Sequence, residues 1–219
     1  SYMPCFLAGI SVARGIASVL DVPLWSYSHQ QGHLAAALFS CGRMDLLRGE
    51  FLAWHVSGGT TELLHVRPGL KAQAIGGTAD LNAGQLVDRV GVMLGFGFPA
   101  GKALDELALS GELPRKISVK ADGLTCHLSG IENQCRQLQA LPEDIARYCL
   151  ESITQAMLKI TREAFKQHGG LPLVCSGGVC CSEVLRAGVL TVYPQVHFAA
   201  AEFSADNAAG IAVLAGEGI

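Results

Sequence analysis

His29 and His33 stand four residues apart in "SHQQGH" (28–33). On a helix, positions i and i+4 share a face, so both imidazoles reach toward one point. Two neutral imidazole nitrogens are half of a zinc- or iron-type site. The glutamate of an HExxH metalloprotease is absent, because Gln30 and Gln31 follow His29. Taken alone, the pair is either this half-site or two surface or core histidines, and the third ligand stays open.

Two glycine-rich turns carry the next chemistry. "VSGGTTEL" (56–63) is either a β-hairpin turn or a phosphate loop built from Val56, Ser57, Gly58, Gly59 and Thr60, with backbone N–H groups and two hydroxyls as donors. It has no P-loop lysine, which excludes that fold. "VCSGGVCCSEVLR" (174–186) runs from a strand through Gly177-Gly178 into a helix near Ser182. Such a helix start suits a nucleotide phosphate or ribose, or is simply a tight turn. Asp88 falls on a helix and Gly101 in a glycine-rich loop thirteen residues later. The aspartate suits ribose hydroxyls or a metal-bound water, or else pairs with Arg89. Asp206 and Asn207 precede a helix of small residues, as an N-cap or as an anionic ligand.

These residues must be held by an α/β framework. Half of the 219 residues are apolar, 16% are charged and 26 are glycine, a composition for a sizeable core with many close turns. The net charge is −3 with no dense Lys/Arg run, which excludes nucleic-acid binding through a strong basic patch of the chain's own. Eight cysteines without a CxxC pair read as buried reduced thiols of a cytoplasmic protein. No apolar run is long enough to span a membrane, and the opening stretch is a poor signal peptide.

Residues 5–20 read as a helix, 22–28 as a short strand, 29–40 as a helix and 41–50 as a loop. Two strands, 51–56 and 62–66, flank the turn at 57–61. Residues 80–108 are mainly helical with a break at 95–101, and 109–126 is irregular. The strongest helix is 142–168, with Pro142 at its first position, Glu143 and Asp144 in its first turn, and Gly169-Gly170 at its end. A buried strand at 171–175, a strand at 191–199 and a closing helix at 204–216 complete the pattern.

The order of the motifs is more specific than any one of them. "HQQGH", "VSGGTT", "AGQLVDRVGVMLGFGFPAG" (83–101), the Ser-Gly at 129–130, "GGV" (177–179) and "DN" (206–207) together resemble the tRNA threonylcarbamoyladenosine transferases, also known as O-sialoglycoprotein endopeptidases or glycoproteases. The resemblance runs from about Phe6 to Gly216. It implies an actin-like (hexokinase/Hsp70-type) ATPase fold of two α/β lobes. It also implies that the first lobe is incomplete in this sequence. Residues 1–48 are its remainder with the histidine motif, 49–200 the second lobe, and 201–219 a helix returning to the first.

The resemblance also assigns roles. His29, His33 and Asp206 match the family's metal ligands, for iron or zinc. The loop from Val56 to Gly59 matches the substrate and phosphate loop. Asp88 and Gly101 match the ribose and adenylate positions. The implied reaction passes a threonylcarbamoyl group from an adenylate to N6 of a tRNA adenosine, with ATP or an acyl-adenylate as cofactor. The implied partners are tRNA, helper proteins and a homo- or hetero-dimer with a related actin-like protein, without a membrane.

Departures from the family pattern cluster around the nucleotide. Thr60 replaces a histidine, Asp80-Leu81 a pair of acids, Gln85 a glutamate, Glu132 a lysine, and Ser182 an asparagine. They point to a divergent paralogue, active on this or another acceptor, or retained as a nucleotide-binding scaffold. A protease function ranks last, for want of a nucleophile.

Overall fold

The computed structural model describes residues 3–204 and 207–219. Its centre is a mixed seven-stranded sheet. In chain order the strands are β1 (Phe51–Val56), β2 (Thr61–Arg67), β3 (Lys71–Thr78), β4 (Lys120–Asp122), β5 (Thr125–His127), β6 (Leu173–Ser176) and β7 (His197–Phe198). Their order across the sheet is β4-β5-β3-β2-β1-β6-β7. β1, β2 and β3 form an antiparallel meander, and β1 and β6 run parallel at the centre with His55 opposite Ser176.

Alternation along β1 divides the core between two faces, since successive side chains of a strand point to opposite sides. Leu52, Trp54 and Val56 enter the larger cluster, under α3 (Ala83–Met93), α4 (Gly101–Ala108), α5 (Ser129–Gln137), α6 (Pro142–His168) and α7 (Glu183–Val192). Phe51 and Ala53 enter the smaller one, with Leu34 and Leu38 of α2 (His29–Ser40) and Leu214 of α8 (Ala209–Glu217). The sheet is thus covered on both faces. Trp54 buries its indole with the N–H donated to the Thr161 hydroxyl of α6 at 2.9 Å, so its one polar atom is satisfied.

Helices α2 and α6 have the expected boundaries. α6 carries Pro142 in its first turn with Glu143 and Asp144 beside it, and ends at Gly169 with φ 71°. Helix α1 (Met3–Leu20) is also present, but Leu7, Val12, Ile16, Val19 and Leu20 are exposed along it. None of the helices among the described residues is long and apolar enough to cross a membrane.

Several expectations are corrected. Residues 22–28 form no strand: Val22, Leu24 and Trp25 lie exposed in a segment without regular secondary structure. The loop at 41–50 contains a short 3-10 helix, Met44–Arg48. The irregular stretch after 108 holds β4 and, at its end, the start of β5, and α5 follows, while β3 adds a strand not foreseen. The strand expected over 191–199 shrinks to His197–Phe198, because α7 continues to Val192. The closing helix starts at Ala209 rather than 204.

Candidate metal pocket and nucleotide cleft

Ser28 starts the histidine helix. Its hydroxyl accepts the Gln31 N–H at 3.2 Å, and the Gln31 side chain accepts the Ser28 N–H at 2.9 Å, a reciprocal capping box. Gln31 therefore serves the fold, and the first turn carries His29 at a fixed angle. The glycine of the motif has its own reason. α8 crosses α2 at Gly32 and Gly210, and a Cβ on Gly210 would overlap the Gly32 carbonyl. This close crossing packs the first turn of α8 against the histidine helix. Asn207 accepts the Ala209 N–H at 3.0 Å from just ahead of the N-cap, while the N-cap position itself is Ala208, without a side-chain capping bond. Asp206 lies outside the described residues.

The His29 and His33 Nε2 atoms are 3.0 Å apart. Two nitrogens each about 2.1 Å from one tetrahedral ion are separated by about 3.4 Å. The observed distance is that of a hydrogen bond between the rings, and among the described residues no group of three or more His, Cys, Asp or Glu stands together to hold an ion. Both rings line a pocket of about 340 Å³ with Ser57, Thr60, Ser176 and Ser204. Two further residues of this pocket were not singled out from the sequence: His55 and Glu62, paired opposite each other on β1 and β2. Strand alternation is the signal that finds His55. It shares a side of β1 with Phe51 and Ala53, the side that α2 covers. Its ring centroid lies 5.5 Å from that of His33. Burial, then the neighbouring His33 and His29, push its pKa down, favouring the neutral imidazole.

A second cavity, of about 420 Å³, opens on the other side of the Ser57–Gly59 turn. Gly58, Asp88, Gly101, Gly178 and Ser182 line it, with Lys102, Asp105 and Cys181. Ser57 belongs to the histidine pocket and Gly58 to this cleft, so one peptide unit separates the two. The turn is held from behind. The Gly84 N–H donates to the Ser57 carbonyl, Asn82 donates to the Gly59 carbonyl, and the Thr61 hydroxyl accepts the Ala83 N–H. Gly84 is required here, since a Cβ would stand 2.6 Å from Gly58 Cα. Val56 has its side chain in the core, leaving only its backbone near the turn.

The spacing of Asp88 and Gly101 has a structural cause. Asp88 accepts the Ala100 N–H at 2.8 Å, which fixes the loop that enters α4 beside the cleft. The bond is to Ala100, not to Arg89. Arg89 instead pairs with Glu132 at 2.9 Å, and Arg136 pairs with the same carboxylate at 2.8 Å. The charge reversal at Glu132 is therefore answered by two arginines, Arg136 foremost, which lower its pKa.

The second Gly-Gly turn is open at Gly178 but closed at Gly177. Gly177 has φ 95°, and a Cβ there would overlap the Val56 carbonyl. Ser182 caps α7 by accepting the Leu185 N–H at 3.1 Å. Asp105 accepts from the Ser182 hydroxyl and from the Glu183 N–H, the latter at 2.8 Å. The donors expected to meet a phosphate at this helix start are held by a carboxylate of the chain itself.

Asp80 anchors a third loop. Burial acts against its charge, but the Ser129 hydroxyl and the N–H groups of Leu128, Leu81 and Ser129 outweigh it and bring its pKa to about 2. The eight cysteines are unpaired, and Cys126, Cys135, Cys149, Cys175 and Cys180 are buried.

Comparison with known proteins agrees on the family. The family model described as "TsaD: tRNA N6-adenosine threonylcarbamoyltransferase" matches residues 2–213. A protein of that name from Carboxydothermus hydrogenoformans is 32% identical over 94% of this chain and 65% of its own length. One from Thermus thermophilus is 31% identical over 95% and 65%, respectively. The chain thus spans about 65% of the length of these relatives. Among solved structures, the crystal structure of T. kodakarensis HypF superposes with a TM-score of 0.69 at 14% identity, covering 95% of this chain and 39% of that one. Full-length HypF in a phosphate- and nucleotide-bound form gives 0.67 at 14%, over 93% and 37%. These two likenesses support the actin-like ATPase-type α/β fold. With ordered motifs, fold and family match in agreement, the chain belongs to the TsaD family of tRNA N6-adenosine threonylcarbamoyltransferases.

Proposed function

We propose that this chain carries the transfer site for a threonylcarbamoyl group moving from an adenylate to N6 of a tRNA adenosine. The observation that supports this best is the abutment of two pockets across the Ser57-Gly58 peptide unit. A nucleotide seated against Asp88 and Gly101 would direct its acyl phosphate over this turn toward the histidines. The exposed Gly58 and Gly59 let backbone approach the phosphate without a side chain between. His29 and His33, with Asp206, would hold iron or zinc. Bound there, the metal supplies Lewis-acid polarisation of a carbonyl oxygen. The protein's share is positioning, which requires no side-chain nucleophile.

A scaffold reading is favoured by one specific feature, the occupation of the α7 donors by Asp105 and Ser182. The two readings separate in vivo. Deleting the gene should lower threonylcarbamoyladenosine in tRNA at least tenfold by mass spectrometry. The wild-type gene should restore it, and a His33→Ala copy should not. Restoration by His33→Ala would leave only the scaffold reading.

A further inference from the structure

We propose that the groove beside α3 and α5 seats one unpaired nucleotide of the RNA acceptor, its base on Phe98 and its phosphate on the guanidinium groups of Arg89 and Arg136. This rests on the transfer reading above and concerns the acceptor, not the nucleotide in the cleft.

Three charged groups build the phosphate seat. The Glu132 side chain is only 14% exposed and both its oxygens are taken: Oε2 accepts from Arg89 Nη1 of α3 at 2.9 Å, and Oε1 from Arg136 Nη2 of α5 at 2.8 Å. One carboxylate thus holds two guanidinium groups, from two helices, side by side. A guanidinium carries five N–H donors in a rigid fork. Each arginine uses one nitrogen on Glu132, and the two side chains remain 54% and 53% exposed. The cluster keeps a single net positive charge, as does the lysine that the family pattern has at position 132. Here that charge is presented as two planar forks, which match the oxygens of a phosphate. Side chains already held by Glu132 lose less freedom when a ligand arrives.

The base seat is apolar and planar. Phe98, in the loop between α3 and α4, is 78% exposed, and Val92 at the end of α3 is exposed as well. Both line the same groove as the arginines, with a volume of about 630 Å³. An exposed aromatic ring is a stacking platform for a base, and only unpaired bases offer their faces to it. An acidic peptide would engage the arginines and leave Phe98 uncovered. A seat for one nucleotide is also consistent with the chain's net charge of −3 and its lack of a dense basic run. Asp88, whose carboxylate accepts the Ala100 N–H, lines both this groove and the nucleotide cleft, so the RNA seat adjoins the proposed transfer site.

The test uses the intact protein and two RNA probes of equal length, read by fluorescence anisotropy at several salt concentrations. One is a hairpin with the acceptor adenosine in its unpaired loop, the other a fully paired duplex. Removing the arginines alone would strand the Glu132 carboxylate, so the charge variant is Arg89→Gln/Glu132→Gln/Arg136→Gln. It should weaken hairpin binding at least tenfold and reduce the salt slope by about 0.7, the loss of one phosphate contact. Phe98→Ala should weaken hairpin binding about tenfold with the slope unchanged, and Phe98→Trp should retain it. All three variants should bind AMP as wild type does in calorimetry. Loss of AMP binding together with hairpin binding would assign the groove to the nucleotide cleft and overturn the RNA seat. Unchanged hairpin affinity in the charge variant and in Phe98→Ala, equal losses for hairpin and duplex, or a wild type that binds neither RNA would overturn it too. Hairpin results as expected, with a wild-type gene that does not restore the tRNA modification, would overturn the transfer reading and leave the RNA seat standing.

Discussion

The two Ser-Gly-Gly turns, at 57–59 and 176–178, have the same letters, follow neighbouring parallel strands and differ at their first glycine, while Gly178, like Gly58, is open and lines the larger cleft. At the first, a Cβ on Gly58 or Gly59 would meet nothing within 4 Å, and both residues are exposed. At the second, Gly177 is pressed against the Val56 backbone with φ 95°, and the helix start that follows is closed by Asp105 and Ser182. A glycine pair after a strand is therefore not in itself a ligand loop. What decides is whether the freed space faces solvent or another backbone.

The comparison breaks most sharply at the glycines. Gly177→Ala should cost about 3 kcal/mol or more in urea unfolding, from a strained positive φ and overlap with Val56. Gly58→Ala should change stability by less than about 0.5 kcal/mol, while weakening nucleotide binding in calorimetry. Equal stability losses would show that the turns are alike.

A middle-sized effect is expected at Asp105. Asp105→Ala leaves the Ser182 hydroxyl and Glu183 N–H without their acceptor and should cost about 1–2 kcal/mol. If those donors serve the scaffold alone, added inorganic phosphate should not restore the melting temperature. Selective rescue of the variant by phosphate would show a latent anion cradle.

The smallest effect belongs to Asp80, whose carboxylate closes a third loop as Asp105 closes the second. Its folded pKa, about 2, lies below the ordinary carboxylate value. The stability it adds is present above about pH 4 and is lost as pH falls toward 2. Solvent screening limits it to about 1 kcal/mol. Asp80→Asn should lower stability at neutral pH by about that amount, leave it nearly unchanged near pH 2, and so flatten the acid limb over that window.

Local chemistry made much of this readable. α2 was legible from its run of alanine and leucine, and α6 from Pro142, the first-turn acids, the apolar spacing and the Gly-Gly stop. β3 was not, because "KAQAIGGT" has weak strand propensity; its Gly76 and Gly77 are set by the approach of the Leu124 and Thr61 backbones. Residues 22–28 failed in the opposite way: strand-like side chains form no strand without an edge to pair with. His55 was overlooked because a single histidine in a strand carries no spacing signal. Only alternation, combined with knowing that α2 covers that side, assigns it.

By itself the sequence determined the covered α/β framework, the paired histidines on one helix face and the ordered motifs of the family, because periodicity and capping act within a few residues. The tertiary structure alone decided at which turn the first glycine is open, that Asp105 closes α7, and that His55 and Ser176 join the histidine pocket. Those depend on strand register and on backbone approach between segments far apart in the chain. Such contacts are fixed only when the sheet assembles and α2 and α8 cross over it.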